Sequence, residues 1–283
     1  MTNKMKHLFI YLIGISSILY ACDSQKKKTD TESASHQDAG KLIPDSSNVL
    51  EKNGLKLSPV TSLPEFPDAR LTQSSPEPEQ KLKPGKTHFT YEVSNFELGR
   101  QTDAGACGNC SNSEEGQHIH FILNNEPYVA LYTPEHTQEL KEGTYIELSF
   151  LSRSYHISIK QPDAYVLRKI TIGKPNDLDK IDINAPHMFY SRPKGEYTGS
   201  GADKIVLDFY LVNSELSSDG NKVIATIDGT EFIINKWAAY LIEGLDDGEH
   251  SIKLEFVDKD NNRIESPFNP VTRTIQVARK AKS

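Results

Sequence analysis

Two short motifs place metal-binding side chains near each other in the middle of the chain. Cys107-Gly108-Asn109-Cys110 is a C-x-x-C turn, and His118-Ile119-His120 follows after seven residues. Side chains at i and i+2 of a β-strand point to the same face, about 7 Å apart at Cα, so both imidazoles can reach one ion. Sulfur and imidazole ligands together suit Zn²⁺ or copper. His156, which follows a predicted strand, is a further candidate ligand, and His136 lies in another loop.

Both motifs also have plain structural interpretations. In an exported protein, Cys107 and Cys110 can form a disulfide that closes a long loop. An HxH pair on a sheet face can be an ordinary exposed feature. No βαβ pattern of the thioredoxin kind surrounds the cysteines, which argues against a catalytic redox pair. Two hypotheses therefore stand: thiolate ligands beside exposed histidines, or a disulfide-closed loop beside them.

An internal repeat of about 105 residues predicts the elements that carry these motifs. Residues 116–125 align without gaps to residues 220–229, and Ser75-Pro76 stands where Arg192-Pro193 stands in the second copy. Further along, Ile146-x-Leu148-x-Phe150 matches Ile252-x-Leu254-x-Phe256. A repeat of this length corresponds to two whole domains.

Apolar residues alternate along each copy, which is typical of β-strands. Ile119, Phe121 and Leu123 should face inward, as should Val223, Ala225 and Ile227. Asn124-Asn125 and Asp228-Gly229 tolerate positive φ and predict two-residue hairpins. Short strands with regular turns over about 100 residues indicate an immunoglobulin-like β-sandwich. We therefore predict an all-β protein with two tandem sandwiches, at residues 65–175 and 176–283.

The two copies differ where the chemistry lies. The first copy has 17 residues between Leu98 and Gly116, whereas the second has three between Leu216 and Gly220. The extra residues contain both cysteines and lead into the strand of His118 and His120. The second copy has Lys222 and Ile224 at those two positions, so the scaffold alone does not require histidines there.

The first copy resembles a bacterial family over about 60 residues. Gly116-Gln117-His118-Ile119-His120, the Leu140-x-x-Gly143 turn and His156 are similar to the G-H-H-H…L-P-x-G-x-H…H pattern of small histidine-bearing immunoglobulin-like domains of unknown function. Those domains often occur in the periplasm or in lipoproteins. Gln117 and Tyr145 stand where the family has histidines. The resemblance implies the fold and leaves the activity open.

The first residues have the order of parts of an export signal. Lys4 and Lys6 precede an apolar run that is too short for a comfortable membrane span, and the run ends in Leu19-Tyr20-Ala21-Cys22. That ending resembles the lipobox of bacterial lipoproteins, such as those of Bacteroidota, in which the cysteine is acylated. Residues 1–21 are thus a predicted signal peptide, and Cys22 is the predicted lipidation site. Low hydrophobicity predicts that residues 22–64 are a disordered tether.

Composition and motifs narrow the function. The formal net charge of −7 becomes −9 without residues 1–21, which hold two lysines and no acid, so nucleic acid is not an expected partner. No nucleophile elbow, HExxH motif or phosphate loop is present, so we expect no enzymatic activity. The leading hypothesis is that the protein is a non-enzymatic lipoprotein with a binding or assembly role. Its lipid anchor would hold it to the outer membrane, and its partners would be proteins of the cell envelope. Lysines 26–28, rather than acids, follow Cys22, which favours the periplasmic side. The alternatives are a periplasmic Zn or Cu protein that uses the first domain, and an accessory subunit of an outer-membrane complex.

Overall fold

The structure, a computed structural model, describes residues 48–103 and 110–279. These residues form seventeen β-strands joined by turns, with 3₁₀ turns at Asp177–Lys180 and Gly199–Ala202. Within this part of the chain, no helix is long and apolar enough to cross a membrane. The predicted all-β class is confirmed. In chain order the strands are β1 (Leu50–Lys52), β2 (Leu55–Pro59), β3 (Arg70–Ser75), β4 (Gly85–Ser94), β5 (His118–Leu123), β6 (Val129–Leu131), β7 (Glu135–Leu140), β8 (Gly143–Ser152), β9 (Tyr165–Ile172), β10 (His187–Arg192), β11 (Gly195–Thr198), β12 (Ile205–Val212), β13 (Lys222–Ile227), β14 (Thr230–Ile234), β15 (Tyr240–Glu243), β16 (Gly248–Val257) and β17 (Val271–Ala278).

Strands β3 to β9 form the first sandwich, which we call domain one. One sheet has the order β3-β4-β7 and the other β6-β5-β8-β9. Their inner faces share a core that includes Phe89, Ile119, Phe121 and Ile172. As predicted, Ile119 and Phe121 face inward, because alternate residues of a strand point to opposite faces.

Strands β10 to β17 form the second sandwich, domain two, with sheets ordered β1-β2-β15-β12-β10 and β11-β17-β16-β13-β14. Buried residues from both sheets, including Leu207, Val223, Ala225 and Ile227, form its core. Apart from β1, β2 and β11, the strand order repeats that of domain one. Strand β11 pairs in parallel with β17, at the place where domain one has an isolated parallel bridge between Leu82 and Ile172. Two sheets of antiparallel strands with this order are typical of immunoglobulin-like sandwiches.

Local features confirm the correspondence of the two copies. The register shifts between Gln73 and Ser75 in domain one, and between Tyr190 and Arg192 in domain two. A cis peptide bond follows each shift, at Ser75-Pro76 and Arg192-Pro193. Each shift lies in the first strand of its sandwich. The two shifts therefore occupy equivalent positions, as the alignment of Ser75-Pro76 with Arg192-Pro193 predicts.

One part of the alignment was wrong by a residue. Ile252, Leu254 and Phe256 face the core of domain two, whereas Ile146, Leu148 and Phe150 point out of domain one. The inward positions of β8 instead include Glu147 and Ser149, which are fully buried and hydrogen-bonded to the Tyr91 hydroxyl. A one-residue shift in a strand exchanges its two faces, and the apolar match concealed that shift.

The predicted hairpin turns hold in one copy. Asp228 and Gly229 both have positive φ and join β13 directly to β14. Asn124 and Asn125 also have positive φ, but β6 does not begin until Val129. The Asn125 side chain bonds domain two instead, since its Oδ1 accepts the backbone N–H of Tyr190 at 2.8 Å.

The tether predicted over residues 22–64 is wrong in its last part. Strands β1 and β2 form a hairpin, and β2 adds to the edge strand β15 of domain two with Leu57 opposite Ile242. Leu57 is fully buried in the domain-two core. The alternation Leu55-Lys56-Leu57 offers apolar side chains to that core, which offsets the entropy of ordering the segment. Residues 22–47, Cys22 among them, lie outside the described residues.

The outer face of domain one packs against domain two. Ile146, Leu148 and Phe150 contact a cluster that includes Phe189 and Tyr210. At the same interface, Lys160 Nζ donates to Asp208 Oδ1 at 2.6 Å, and the Asp208 side chain is fully buried. The interface therefore covers the face of the β6-β5-β8-β9 sheet from which the histidines project.

Candidate metal centre

The histidines of β5 lie between the two sandwiches. Ile119 and Phe121 fill the core of domain one, so His118 and His120 leave the strand on the opposite face. Both imidazoles are completely buried, with 0% of each side chain exposed. Our expectation of exposed histidines was therefore wrong, because domain two covers this face of the sheet.

His156 joins them from the turn that follows β8. Its backbone N–H donates to the Arg153 carbonyl at 2.9 Å, and its φ is +64°. This left-handed conformation is uncommon for a residue other than glycine and is often found at functional positions. The turn aims the imidazole at the histidines of β5.

The three imidazoles converge on one small volume. His118 Nε2 lies 2.9 Å from His120 Nε2 and 3.0 Å from His156 Nδ1. One ring nitrogen from each histidine lies within 4.8 Å of the other two. Nitrogens bound at 2.0–2.1 Å to a tetrahedral Zn²⁺ stand about 3.3 Å apart. Small side-chain movements would thus bring all three nitrogens to bonding distance from one ion.

Hydrogen bonds orient the three imidazole rings, at the second ring nitrogen of His118 and His120 and at the convergent nitrogen of His156. His118 Nδ1 lies 2.7 Å from the Gly116 carbonyl oxygen, which can only accept, so Nδ1 carries the proton and Nε2 keeps its lone pair. His120 Nδ1 bonds Ser191 Oγ of domain two at 3.1 Å. The Tyr128 hydroxyl lies 3.1 Å from His156 Nδ1. The bond to the Gly116 carbonyl fixes the tautomer of His118, and bonds at the second ring nitrogen orient metal-binding histidines in general.

Burial keeps the imidazoles neutral. Desolvation, reinforced by the charges of Arg192 and Lys194, lowers the pKa of His118 to about 4, although its bond to Gly116 opposes the shift. Burial also lowers the pKa of His120 and of His156 well below the ordinary value. At neutral pH each imidazole is therefore uncharged and keeps one nitrogen lone pair, as metal coordination requires.

Cys110 takes no part in this cluster. Cys110 is disulfide-bonded, so its sulfur is not a thiolate ligand, and this corresponds to the disulfide alternative. Cys107 lies outside the described residues, and its role stays a prediction. Of the predicted ligands, the structure brings together His118, His120 and His156. His136 is not one of them, and its ring lies 4.9 Å from that of Phe121.

The insertion of domain one supports the turn of His156. Thr102 and Ser154 exchange two hydrogen bonds between backbone N–H and side-chain oxygen, at 3.0 and 3.1 Å. The Ser113 N–H donates to the Ser154 carbonyl at 2.8 Å. The extra residues of the first copy therefore position a ligand without supplying one from their described part.

The sequence did not reveal the surroundings of the histidines. Tyr128 stacks on His120 with ring centroids 3.6 Å apart and an interplanar angle of 7°. Ser191, Arg192 and Lys194 come from domain two and approach the same side. No clear signal of this cover lies in the sequence of β8, because Ile146, Leu148 and Phe150 make one face apolar while the other face carries Glu147 and Ser149.

Comparison with known proteins yields only distant structural similarity. No protein-family model matches the sequence, and no curated protein matches it. The fibronectin(III)-like modules of Clostridium thermocellum CbhA are 16% identical over 74% of this chain and 94% of theirs, with a TM-score of 0.26. A Bacteroides ovatus protein, SGBP-B of a mixed-linkage glucan utilization locus, solved with a heptasaccharide, is 11% identical over 74% of this chain and 47% of its own, with a TM-score of 0.21. A two-domain fibronectin type III segment of chicken tenascin is 9% identical over 74% and 98%, with a TM-score of 0.20. No functional conclusion about this chain rests on these similarities.

Proposed function

We propose that this chain is a non-enzymatic lipoprotein of the cell envelope that binds Zn²⁺ or Cu²⁺ between its two sandwiches. The observation that carries the proposal is the convergence of three buried, neutral imidazoles, with His118 Nε2 at 2.9 and 3.0 Å from the other two ring nitrogens. One lone pair cannot accept two full hydrogen bonds, whereas an ion at the centre would satisfy all three nitrogens at once.

The ligand set favours borderline divalent ions. Imidazole nitrogen suits Zn²⁺ and Cu²⁺, whereas Ca²⁺ and Mg²⁺ require oxygen ligands and Cu⁺ prefers sulfur. The convergent group contains no carboxylate or thiolate from the described residues. Three protein ligands leave one position of a tetrahedral ion open.

Anchoring in the envelope follows from the sequence. The Leu19–Cys22 ending after an apolar run supports cleavage before Cys22 and its lipidation. We place the protein at the outer membrane on its periplasmic side. Replacement of Cys22 by Ala should move the protein out of the membrane fraction, and a palmitate-labelled, membrane-bound product of that variant would refute the anchor.

Metal titration tests the site directly. The mature chain, made without its lipid by a Cys22→Ser substitution, should bind Zn²⁺ or Cu²⁺ with one ion per chain in calorimetry and in elemental analysis. His118→Ala should weaken binding at least about 100-fold, since it removes a ligand. His88→Ala is the matched control, because His88 is exposed and lies on a different sheet. Absence of binding in the unsubstituted protein would overturn the proposal.

Reductant separates this site from one that uses thiolates. Because Cys110 is disulfide-bonded, metal affinity should be similar with and without reductant. A Cys107→Ser/Cys110→Ser variant should bind within a few-fold of the parent chain. Binding that appears only after reduction, and disappears in this variant, would show that the cysteines are ligands.

A further inference from the structure

Two cations of domain two lie beside the histidine cluster. Lys194 Nζ sits 3.9 Å from the ring centroid of Tyr128 and donates to the Tyr128 carbonyl at 2.9 Å. The Arg192 guanidinium carbon lies 5.8 Å from the same ring centroid. Tyr128 in turn stacks on His120, so both cations lie beside a ring that contacts the histidine cluster. This is an unusual setting for a divalent cation, because the nearby fixed charges are already positive.

Arg192 is buried, and one of its hydrogen-bond donors, Nε–H, is unsatisfied by the described residues. The residue is 7% exposed, its Nη1 donates to the Tyr197 hydroxyl at 2.9 Å, and its guanidinium also hydrogen-bonds the Tyr128 side chain. Its Nε–H has no hydrogen-bond partner within the described part of the protein. Buried donors of charged groups are rarely left unsatisfied, since losing their hydration is costly. The free Nε–H therefore points to an acceptor that the described residues do not provide.

Charge balance identifies the kind of acceptor. An ion at the histidines would add two positive charges beside Arg192 and Lys194, and the convergent group contains no carboxylate from the described residues. Burying charges of one sign together is strongly unfavourable unless a countercharge accompanies them. The position left open by three histidine ligands is where an anion would bind the ion directly.

We propose that this centre binds its metal ion together with a small anion, which occupies the open coordination position and is held by Arg192. The inference rests on the proposed metal function and adds the chemistry of the fourth ligand. The anion is a monodentate ligand of carboxylate or phosphate type, with an oxygen that binds the ion and a second acceptor atom for the guanidinium. Arginine suits this role because its planar donors match such anions.

Azide titration of the Cu²⁺-loaded protein tests the proposal, with azide as the probe anion. Azide should displace the resident ligand and produce an azide-to-copper charge-transfer band, together with a change in the electron paramagnetic resonance spectrum. Acetate and phosphate, added separately, should each compete with azide, and their relative potency identifies the preferred class. Arg192→Gln should weaken azide binding at least about tenfold, which corresponds to the loss of one charge-assisted hydrogen bond.

Two further variants control for misfolding and remote charge. Lys194→Gln alters a partly exposed cation and should also weaken azide binding, by a smaller factor than Arg192→Gln. Arg263→Gln removes an exposed cation that pairs with Glu255 and should leave azide affinity unchanged. Thermal unfolding of the metal-free variants shows whether each is folded.

The outcomes distinguish the two proposals. If the protein binds neither Zn²⁺ nor Cu²⁺, the metal function itself fails. If Cu²⁺ binds but azide produces no spectral change, the position is not open to anions and this inference fails alone. A charge-transfer band that is present without azide and lost in Tyr128→Phe would assign the fourth position to the Tyr128 phenolate, which also overturns the inference.

Discussion

The buried ion pair between Lys160 and Asp208 offers a strong test of the domain interface. Lys160 belongs to domain one and Asp208 to β12 of domain two, and their charged atoms lie 2.6 Å apart. Asp208 also accepts the N–H and the hydroxyl of Ser158, both at 3.2 Å. An Asp208→Asn substitution keeps the shape of the side chain and removes its charge. Lys160 would then remain as a buried cation without a counterion.

The expected magnitude follows from distance and burial. At an effective dielectric constant of about 20, two unit charges 2.6 Å apart attract each other by roughly 6 kcal/mol. Desolvation of both charges opposes this attraction, and loss of one partner of a buried pair costs roughly 3–5 kcal/mol. That is a large part of the 5–15 kcal/mol that is typical of a folded protein. Burial itself already lowers the pKa of Lys160, although Asp208 opposes the shift.

Urea denaturation measures this cost. The free energy of unfolding of Asp208→Asn should fall by about 3–5 kcal/mol. Asp163→Asn removes the partner of Arg70 in an exposed pair and should cost about 1 kcal/mol or less. The double variant Lys160→Met/Asp208→Leu should recover most of the loss, because it leaves no buried charge. Equal, small costs for Asp208→Asn and Asp163→Asn would refute the buried interface.

Three further predictions address other buried groups. First, His250 Nδ1 lies 2.6 Å from Asp228 Oδ2; burial alone would lower the pKa of this imidazole, but its bonds to Asp228 and Asp246 raise it overall. The bonded imidazolium stabilises the fold below about pH 6.5, and this stabilisation is lost as pH rises through the raised pKa. His250→Asn should therefore lower the free energy of unfolding more at pH 6 than at pH 9. A cost independent of pH would contradict the pairing. Second, burial raises the pKa of Glu147, although Tyr91, Ser149 and Gln73 donate to it. A carboxyl group with a raised pKa favours the folded state while it is protonated, and this contribution is lost as pH rises through that pKa. In urea titrations, Glu147→Gln should therefore gain stability relative to the parent protein as pH rises from 5 to 8. The opposite trend would show that the carboxylate is well solvated. Third, Leu57→Ala should lower the free energy of unfolding by roughly 2–5 kcal/mol because Leu57 is fully buried. The partly buried Leu50 should tolerate replacement by Ala. A negligible effect of Leu57→Ala would mean that β2 does not belong to the core.

Much of the fold could be predicted because strand periodicity is a local property. The alternation around Ile119 and Phe121 placed β5 correctly, and the turn signal at Asp228-Gly229 placed a hairpin. The orientation of β8 could not be obtained from an apolar pattern alone. Both of its faces are buried, one inside domain one and one against domain two, so the apolar residues at 146, 148 and 150 fitted either face.

The histidines of the candidate site could be predicted from the sequence, but their environment could not. HxH spacing on a strand pointed to His118 and His120, and the resemblance over the first copy also included His156. Burial of that face depends on how two domains pack, and a single strand carries no information about its partner across a domain interface. Tyr128 and Arg192 were missed for the same reason, since their relation to the histidines exists only after the sandwiches meet.

The hairpin that adds to domain two also dictates an order of assembly. Strand β2 is synthesised before domain one, yet its partner β15 follows only after all of domain one. Pairing across so long a stretch of chain is slow to form, because the loop must close before contacts compensate for its entropy. Domain one is contiguous between β3 and β9 and can fold first. Until domain two has folded, the apolar side of β2 has no sheet to pack against. A fragment that starts after residue 175 would lack that strand and leave the β15 edge of domain two open to pairing with other chains.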